Sequence, residues 1–440
     1  MHMTKSNSFS ASVTFPFPAP RAFRAVHRRL LCGVAGALLA WLPQSGLCLE
    51  QGSALPHLEP FDKAVLEIME KHNIPGASLA VAKDRRLLLA KGYGYADKDK
   101  QEAMTPQTLS RMGSINKTLT AVMVLKLAED GKLKLDDPVL PLFEKAGIVS
   151  SPPTDPRARD IRIRHLLQHS GGFDRERSGD PFFQPRLRDV ARRQGVSPVS
   201  CDAIIRDSLQ DKLDFAPGER FAYSNTGYCM LGRVVEIVTG ESYRAFSSRE
   251  FLQPTIGKGF QVGSSTESRP GETKYYPHPG EPMQRGAPGV TNANVPSPYG
   301  SYSIENMDAL GAWIATPTEV LKFFLAIDGA RGKRLLSEES VRTMRTEPVL
   351  AKEGNPRSFY AAGIHVVRSD KGDNWWHTGS QPGLQALALR TRQGYAWVVV
   401  FNSRPEHAER RNFFKDIDQA LWGAANAIKE WPQGDLFANP

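Results

Sequence analysis

The sequence predicts an α/β fold whose sheet-bearing lobe is assembled from both ends of the chain, with a mostly helical lobe inserted between them. Three observations carry this expectation. Short apolar runs rich in strand-forming residues gather at 77–90 and again at 360–401. The chain between them, roughly 140–310, shows helical spacing interrupted by turn-forming residues. A chain of 440 residues is also long enough to bury a large core and form two lobes.

Near the start, Leu58, Phe61, Val65, Ile68 and Met69 recur at helical spacing and predict an amphipathic helix over 58–74, ended by Pro75-Gly76. The apolar runs Ala77–Ala82 and Arg86–Ala90 flank Lys83-Asp84-Arg85 and predict a hairpin. Gly92-Tyr93-Gly94 lacks the third glycine of a dinucleotide fingerprint, because Asp97 stands there and no βαβ unit follows. A helix is predicted from about Ser114 through Leu119–Ala128, stopping at Asp130-Gly131-Lys132. Lys117-Thr118 within it lacks the glycine framework of a phosphate-binding loop.

Ile161 to Gly172 opens another helix and closes it with glycines. His165 and His169 are four apart, as zinc ligands on a helix are. Leu166, however, occupies the place a metalloprotease needs for its glutamate, and no third ligand stands out, so both are read as structural. Residues 174–194 are rich in arginine with acids interspersed, which predicts a solvated loop and helix. Helices are expected over 201–212 and 226–252, and a long Pro/Gly-rich excursion over 268–300. Leu310–Ala326 reads as a helix with Pro317 at an early turn. Strands follow at Tyr360–Val367, Trp375–Thr378, Leu384–Leu389 and Ala396–Phe401, and an amphipathic helix over 411–430 closes the chain.

The formal charge of +9 does not point to nucleic acid. Lys5, Arg21, Arg24, Arg28 and Arg29 supply five of those charges within the first 48 residues, which hold no acid, and the rest of the chain carries only +4. Those 48 residues read as an export signal: a basic stretch to Arg29, an apolar run Leu30–Leu42, then small residues Gly46 and Cys48. The expectation is an exported protein, periplasmic or secreted, or held at the membrane if the segment is not cut. The run is short for a membrane span, and no other stretch is long and apolar enough for one. Cys201 and Cys229 remain beyond the signal. An oxidising compartment would permit a bridge, but sequence does not show that they meet, and two buried thiols are expected.

Three stretches carry chemistry. In Met112-Gly113-Ser114-Ile115-Asn116-Lys117, a helical turn places the Ser114 hydroxyl and the Lys117 amine on one face. An alcohol is a weak nucleophile at neutral pH, and a neighbouring unprotonated amine can activate it. Burial would lower the lysine pKa and fit it to that task. The first-turn N–H groups lack intrahelical partners, so that of Ser114 is free for a developing oxyanion. The second stretch is Phe221-Ala222-Tyr223-Ser224-Asn225, where an extended backbone would point Tyr223 and Asn225 the same way. A tyrosine facing a lysine can serve as phenolate or as hydrogen-bond relay. The third is His377-Thr378-Gly379-Ser380 at the end of the strand after Trp375-Trp376.

In order and spacing, Ser114-x-x-Lys117, Tyr223-x-Asn225 and His377-Thr378-Gly379-Ser380 resemble the penicillin-recognising serine hydrolases, specifically the class C β-lactamase-like group with its D,D-peptidases and esterases. Ile163–Gly171 and Ala315-Thr316-Pro317 are similar to that group too, and the resemblance covers most of 56–430. It implies a β-lactamase/transpeptidase-like fold: an antiparallel sheet flanked by helices, with the inserted helical lobe. It further implies that Ser114 is acylated, that Lys117 activates it, and that Tyr223 relays protons to the leaving group and later to water. Asn225 would hold a substrate oxygen, the N–H groups of Ser114 and Ser380 would form an oxyanion hole, and His377, Thr378 and Gly379 would line the substrate with Ser380. No metal and no organic cofactor is implied.

One departure bears on substrate. Many β-lactamases carry lysine where this chain has His377, and histidine is mostly neutral near pH 7. Similar enzymes with His-Thr-Gly include peptidases and esterases, so the substrate class widens to a small molecule or peptide bearing an ester, an amide or a β-lactam. The absence of a G-x-S-x-G elbow argues against an α/β-hydrolase. The rival from another class is a non-catalytic binder of peptidoglycan-like or β-lactam-like ligands on the same fold. The intact motifs count against it.

Overall fold

The computed structural model describes residues 49–257, 260–350, 357–406 and 409–438, so the predicted export signal lies outside the described residues. The chain begins with β1 (Glu50–Ala54), α1 (Glu59–Lys71), β2 (Gly76–Lys83), β3 (Arg86–Asp97) and β4 (Glu102–Ala103). After β5 (Ser110–Arg111), a single 3-10 turn, Gly113–Ile115, leads into α2 (Asn116–Glu129). Helices follow as α3 (Leu140–Lys145), α4 (Ile163–Leu167), α5 (Arg175–Ser178), α6 (Arg186–Gln194), α7 (Cys201–Leu209) and α8 (Asn225–Thr239). Short pieces come next: α9 (Tyr243–Ser247), α10 (Gln253–Ile256), β6 (Gln261–Val262), β7 (Gln284–Arg285) and β8 (Asn294–Val295). The chain ends with β9 (Trp313–Ala315), α11 (Pro317–Ala326), α12 (Glu338–Met344), β10 (Ser358–Tyr360), β11 (His365–Val367), β12 (Asn374–Gln381), β13 (Leu384–Arg390), β14 (Tyr395–Phe401) and α13 (Glu409–Ala427).

The main sheet is antiparallel in the order β1-β3-β2-β14-β13-β12-β11-β10, with β4 added on β3. Its two halves come from opposite ends of the chain and join where β14 pairs with β2, Trp397 opposite Val81 and Val399 opposite Leu79. The β2–β3 hairpin turns at Asp84 and Arg85, both with positive φ, as a two-residue hairpin turn requires. Strand alternation then divides the core. Trp397, Val399 and Phe401 face Phe61, Val65 and Ile68 of α1 and Phe413, Ile417 and Leu421 of α13. Val398 and Val400 face the opposite side, toward α2 and α11. The chain thus adopts the expected α/β architecture, a large antiparallel sheet with helices on it.

Helix α2 is buried almost all round, as its apolar sequence demands of a helix without a polar face. Its polar residues find partners inside: Thr118 Oγ1 donates to the Gly363 carbonyl at 2.9 Å and Thr120 Oγ1 to the Ala309 carbonyl at 2.6 Å. A rigid rod through the core therefore ends at Ser114.

The helix expected over 226–252 is broken into α8, α9 and a π-helical turn Ser248–Leu252, and the strand expected over Tyr360–Val367 holds the turn of a hairpin between β10 and β11. Two further expectations are corrected. Leu310–Ala326 is not one helix: Trp313–Ala315 forms β9 between β5 and β6, and the helix begins only at Pro317, where Thr316 and Glu319 close a capping box. The apolar run is satisfied by cross-strand pairing with remote residues, Ser110 opposite Ala315 and Gln261 opposite Ile314. Second, Cys201 and Cys229 are not free thiols but a disulfide, because α7 packs on α8 with their Cα atoms 6.0 Å apart.

Candidate active site

Ser114 sits on a turn that the surrounding chain holds from two sides. On one side, the Met112 N–H donates to the Trp313 carbonyl at 3.0 Å, and the Asn116 side-chain oxygen accepts from the Trp313 N–H at 3.2 Å. Just before it, the guanidinium of Arg111 is fully buried. It donates to the carbonyls of Pro298 and Ser264 and to the Tyr302 hydroxyl, and lies over the Tyr275 ring. The long excursion is thereby tied to the Ser114 turn. A buried arginine with this many partners is a strut.

On the other side runs β12. It pairs with β13 over Trp375–Gln381 but with β11 only over Asn374–Trp376, so among the described residues the edge from His377 to Gln381 carries no neighbouring strand. The Ser114 turn lies against that edge. Two glycines allow it. Gly113 has φ +50°, and a Cβ there would stand 2.9 Å from the Ser380 backbone nitrogen. A Cβ on Gly379 would stand 2.1 Å from the Met112 carbonyl oxygen, which is impossible without moving backbone.

Lys117 is fully buried, and its amine has three neighbours: Ser114 Oγ at 3.0 Å, Asn225 Oδ1 at 2.8 Å and the Leu310 carbonyl at 3.1 Å. Burial pushes its pKa well below the usual lysine range; the carboxylate of Asp180 pulls it back up and the cation of Arg175 adds to the fall. A neutral amine has two N–H donors and one lone pair. Asn225 Oδ1 and the Leu310 carbonyl accept both donors, which leaves the lone pair for the Ser114 hydroxyl.

Tyr223 hydrogen-bonds Ser114, and its ring lies 5.0 Å from the Lys117 amine and 4.5 Å from the Arg175 guanidinium. Burial pushes its pKa up to about 12, opposed by Arg175 and by the bond to Ser114. The phenol is therefore protonated at neutral pH and not a phenolate. Behind it, the buried His169 ring lies 4.2 Å away, with Nδ1 accepting the Ser224 N–H at 3.1 Å. His169 is thus structural, as is His165, whose Nδ1 accepts the Arg162 N–H.

Ser114, Lys117, Tyr223 and Asn225 are brought together, and Ser380 and Gly379 lie beside them. Two site residues stand differently from expectation. Asn225 is not in an extended segment but opens α8 behind the N-cap Ser224, and both ends of its amide are engaged, Oδ1 by Lys117 and Nδ2 by Asp180 at 2.6 Å. The amide thus grips the lysine. His377 is buried, with Nε2 3.0 Å from the Tyr360 hydroxyl and Nδ1 2.7 Å from the Thr378 carbonyl, so both ring nitrogens have partners within the protein. Burial pushes its pKa well below 6.5, and it stays neutral. Thr378 and Ser380 are the half-exposed residues of the strand, and the Ser380 hydroxyl accepts from Arg404. Sequence reasoning missed Arg175, Asp180, Tyr360 and Arg404. The first two lie in the arginine-rich stretch, where charge alone gave no sign of direction.

The family model described as Beta-lactamase matches residues 61–421. The chain belongs to the β-lactamase family. Protein flp of Staphylococcus aureus (strain MW2) is 29% identical over 364 residues, covering 80% of this chain and 64% of that protein. In strain N315 the match is 32% over 202 residues, 44% of this chain and 36% of that protein. The chain thus spans between a third and two thirds of the length of these curated relatives.

Among solved structures, the D-amino acid amidase of Ochrobactrum anthropi SV3 matches with TM-score 0.64 and 22% identity, over 83% of this chain and 99% of that one. The octameric penicillin-binding protein homologue of Pyrococcus abyssi matches with TM-score 0.60 and 24% identity, over 83% and 76%. At such identities these structures bear on the fold alone.

Proposed function

We propose that the protein is an exported serine hydrolase that cleaves an ester or amide through an acyl-Ser114 intermediate. The observation that carries the reading is the contact of 3.0 Å between Ser114 Oγ and the amine of a fully buried Lys117. In the first half-reaction the Ser114 proton passes to the Lys117 lone pair as Oγ bonds to the carbonyl carbon. The oxyanion that forms is taken by the N–H groups of Ser114 and Ser380. The Tyr223 phenol then gives its proton to the leaving nitrogen or oxygen and regains one from Lys117. In the second half, water attacks the acyl carbon, loses its proton through the same pair, and Ser114 leaves as the alcohol.

His377 gives β12 no permanent cation at that position, which supports esters and amides over β-lactams as the natural substrates. The fold-mate named D-amino acid amidase makes D-amino acid amides the first amides to try. Residues 1–48 are read as the export signal, and the buried Cys201–Cys229 bridge supports an oxidising compartment. A fluorophosphonate probe followed by peptide mapping tests the mechanism. Modification confined to Ser114, and lost in Ser114→Ala, is expected; modification elsewhere with Ser114 untouched overturns it. Cell fractionation of a bacterial host tests export, with the protein expected outside the cytoplasm.

A further inference from the structure

The catalytic amine can activate Ser114 only if its lone pair points at the hydroxyl, and that direction depends on which end of the Asn225 amide faces it. With Oδ1 toward Lys117, the amide consumes an N–H of the amine. Turned over, its NH2 would demand the lone pair and compete with Ser114. Asn225 itself has no preference between the two orientations. What sets it must lie at the other end of the amide, and there stands Asp180.

Asp180 follows α5 in the arginine-rich segment and has no part in the steps written above. Burial raises its pKa, while the Arg175 cation, the Phe182 N–H, Asn225 and Lys117 hold it down. In the ionised form its carboxylate only accepts, Oδ1 from the Phe182 N–H at 3.1 Å and Oδ2 from Asn225 Nδ2 at 2.6 Å. A carboxylate at that distance admits the NH2 end of the amide and excludes the oxygen. We propose that Asp180 is a positioning residue that locks the Asn225 amide with its oxygen toward Lys117 and so aims the lone pair of the amine at Ser114. The chain of contacts is Asp180 to Asn225 at 2.6 Å, Asn225 to Lys117 at 2.8 Å, and Lys117 to Ser114 at 3.0 Å. This inference rests on the acyl-serine reading.

Asp180 has a second consequence for the same amine. Lys117 is faced by the rings of Tyr223 and Tyr228, by the cation of Arg175 and the carboxylate of Asp180, and, within electrostatic reach, by the neutral imidazoles of His169 and His377. Of the charged groups around it, Asp180 is the one that favours the protonated amine, alongside the weaker pull of the two tyrosine ring faces. Removing its charge makes Lys117 easier to deprotonate, so the acidic limb of the activity profile moves to lower pH.

The test is the rate at which a fluorophosphonate probe modifies Ser114 in the full chain, followed from pH 5 to 9. Asp180→Ala, which leaves Asn225 Nδ2 without its acceptor, is expected to slow the plateau rate by about tenfold. Asp180→Asn keeps one acceptor oxygen for the two donors that the carboxylate serves, and is expected to recover part of that loss. Both variants are expected to move the acidic limb downward. Modification of Ser114 by Asp180→Ala at the full wild-type rate overturns the proposal, as does a limb that stays in place in both variants. Should Asp180→Ala fail to fold, Asp180→Asn decides through its limb alone. Modification of a residue other than Ser114 in the wild-type chain would instead overturn the acyl-serine reading itself.

Discussion

The Tyr360 hydroxyl lies 3.0 Å from His377 Nε2, and this contact holds the first residue of the His-Thr-Gly strand away from the cleft. Tyr360→Phe removes the partner of a buried ring nitrogen, and the expected cost is about 1–3 kcal/mol in urea unfolding. The effect on turnover should be smaller than that of any change at Lys117. A larger loss of activity than of stability would mean that His377 touches substrate.

Lys117 acts as a base and must be unprotonated, so activity is expected to rise with pH through its folded pKa and fall below it. Lys117→Arg places a permanently charged group there and is expected to lower kcat by about 10²-fold or more. Stability carries the same sign. The folded pKa lies well below the usual 10.5, so between the two values the unfolded chain binds the extra proton and stability rises with pH. The difference in unfolding free energy between wild type and Lys117→Met, measured from pH 7 to 10, should therefore grow in favour of wild type. A flat difference would show that the amine is not held neutral.

Gly379 passes directly under Met112, and a Cβ there would stand 2.1 Å from the Met112 carbonyl oxygen. Gly379→Ala must push β12 away from the Ser114 turn, separating the two N–H groups assigned to the oxyanion. A fall of about 10²-fold in kcat is expected, with a modest loss in thermal midpoint. Wild-type kcat in this variant would remove Ser380 from the oxyanion hole.

The Cys201–Cys229 bridge joins residues 28 apart in sequence and ties α7 to α8, whose first residue is Asn225. The double Ser variant is expected to lose about 2–4 kcal/mol in denaturant unfolding, and reduction of the wild-type protein should mimic it. Equal stability with and without reductant would contradict the pairing.

Much of this architecture is legible from local pattern. The spacing of Phe61, Val65 and Ile68 marks α1, and Lys83-Asp84-Arg85 between apolar runs marks the hairpin. Ser114-x-x-Lys117 and Tyr223-x-Asn225 are weak signals taken singly, and they stand out only because, together with His377-Thr378-Gly379-Ser380, they resemble the motifs of the penicillin-recognising serine hydrolases. What escaped is what only the assembled chain decides. Trp313–Ala315 is apolar enough for helix or strand, and remote pairing with Ser110 and Gln261 chooses strand. Asp180 looks like one acid among many surface charges until the fold carries it to Asn225. The third partner of the Lys117 amine is a backbone carbonyl, that of Leu310, and a carbonyl leaves no mark in sequence at all.

Quenching turnover of a p-nitrophenyl ester with acid and weighing the intact protein reads the central claim most directly. A mass increase of one acyl group, located on the peptide containing Ser114 and absent in Ser114→Ala, is the predicted result. An acyl group on any other residue, or full ester turnover by Ser114→Ala, would contradict it.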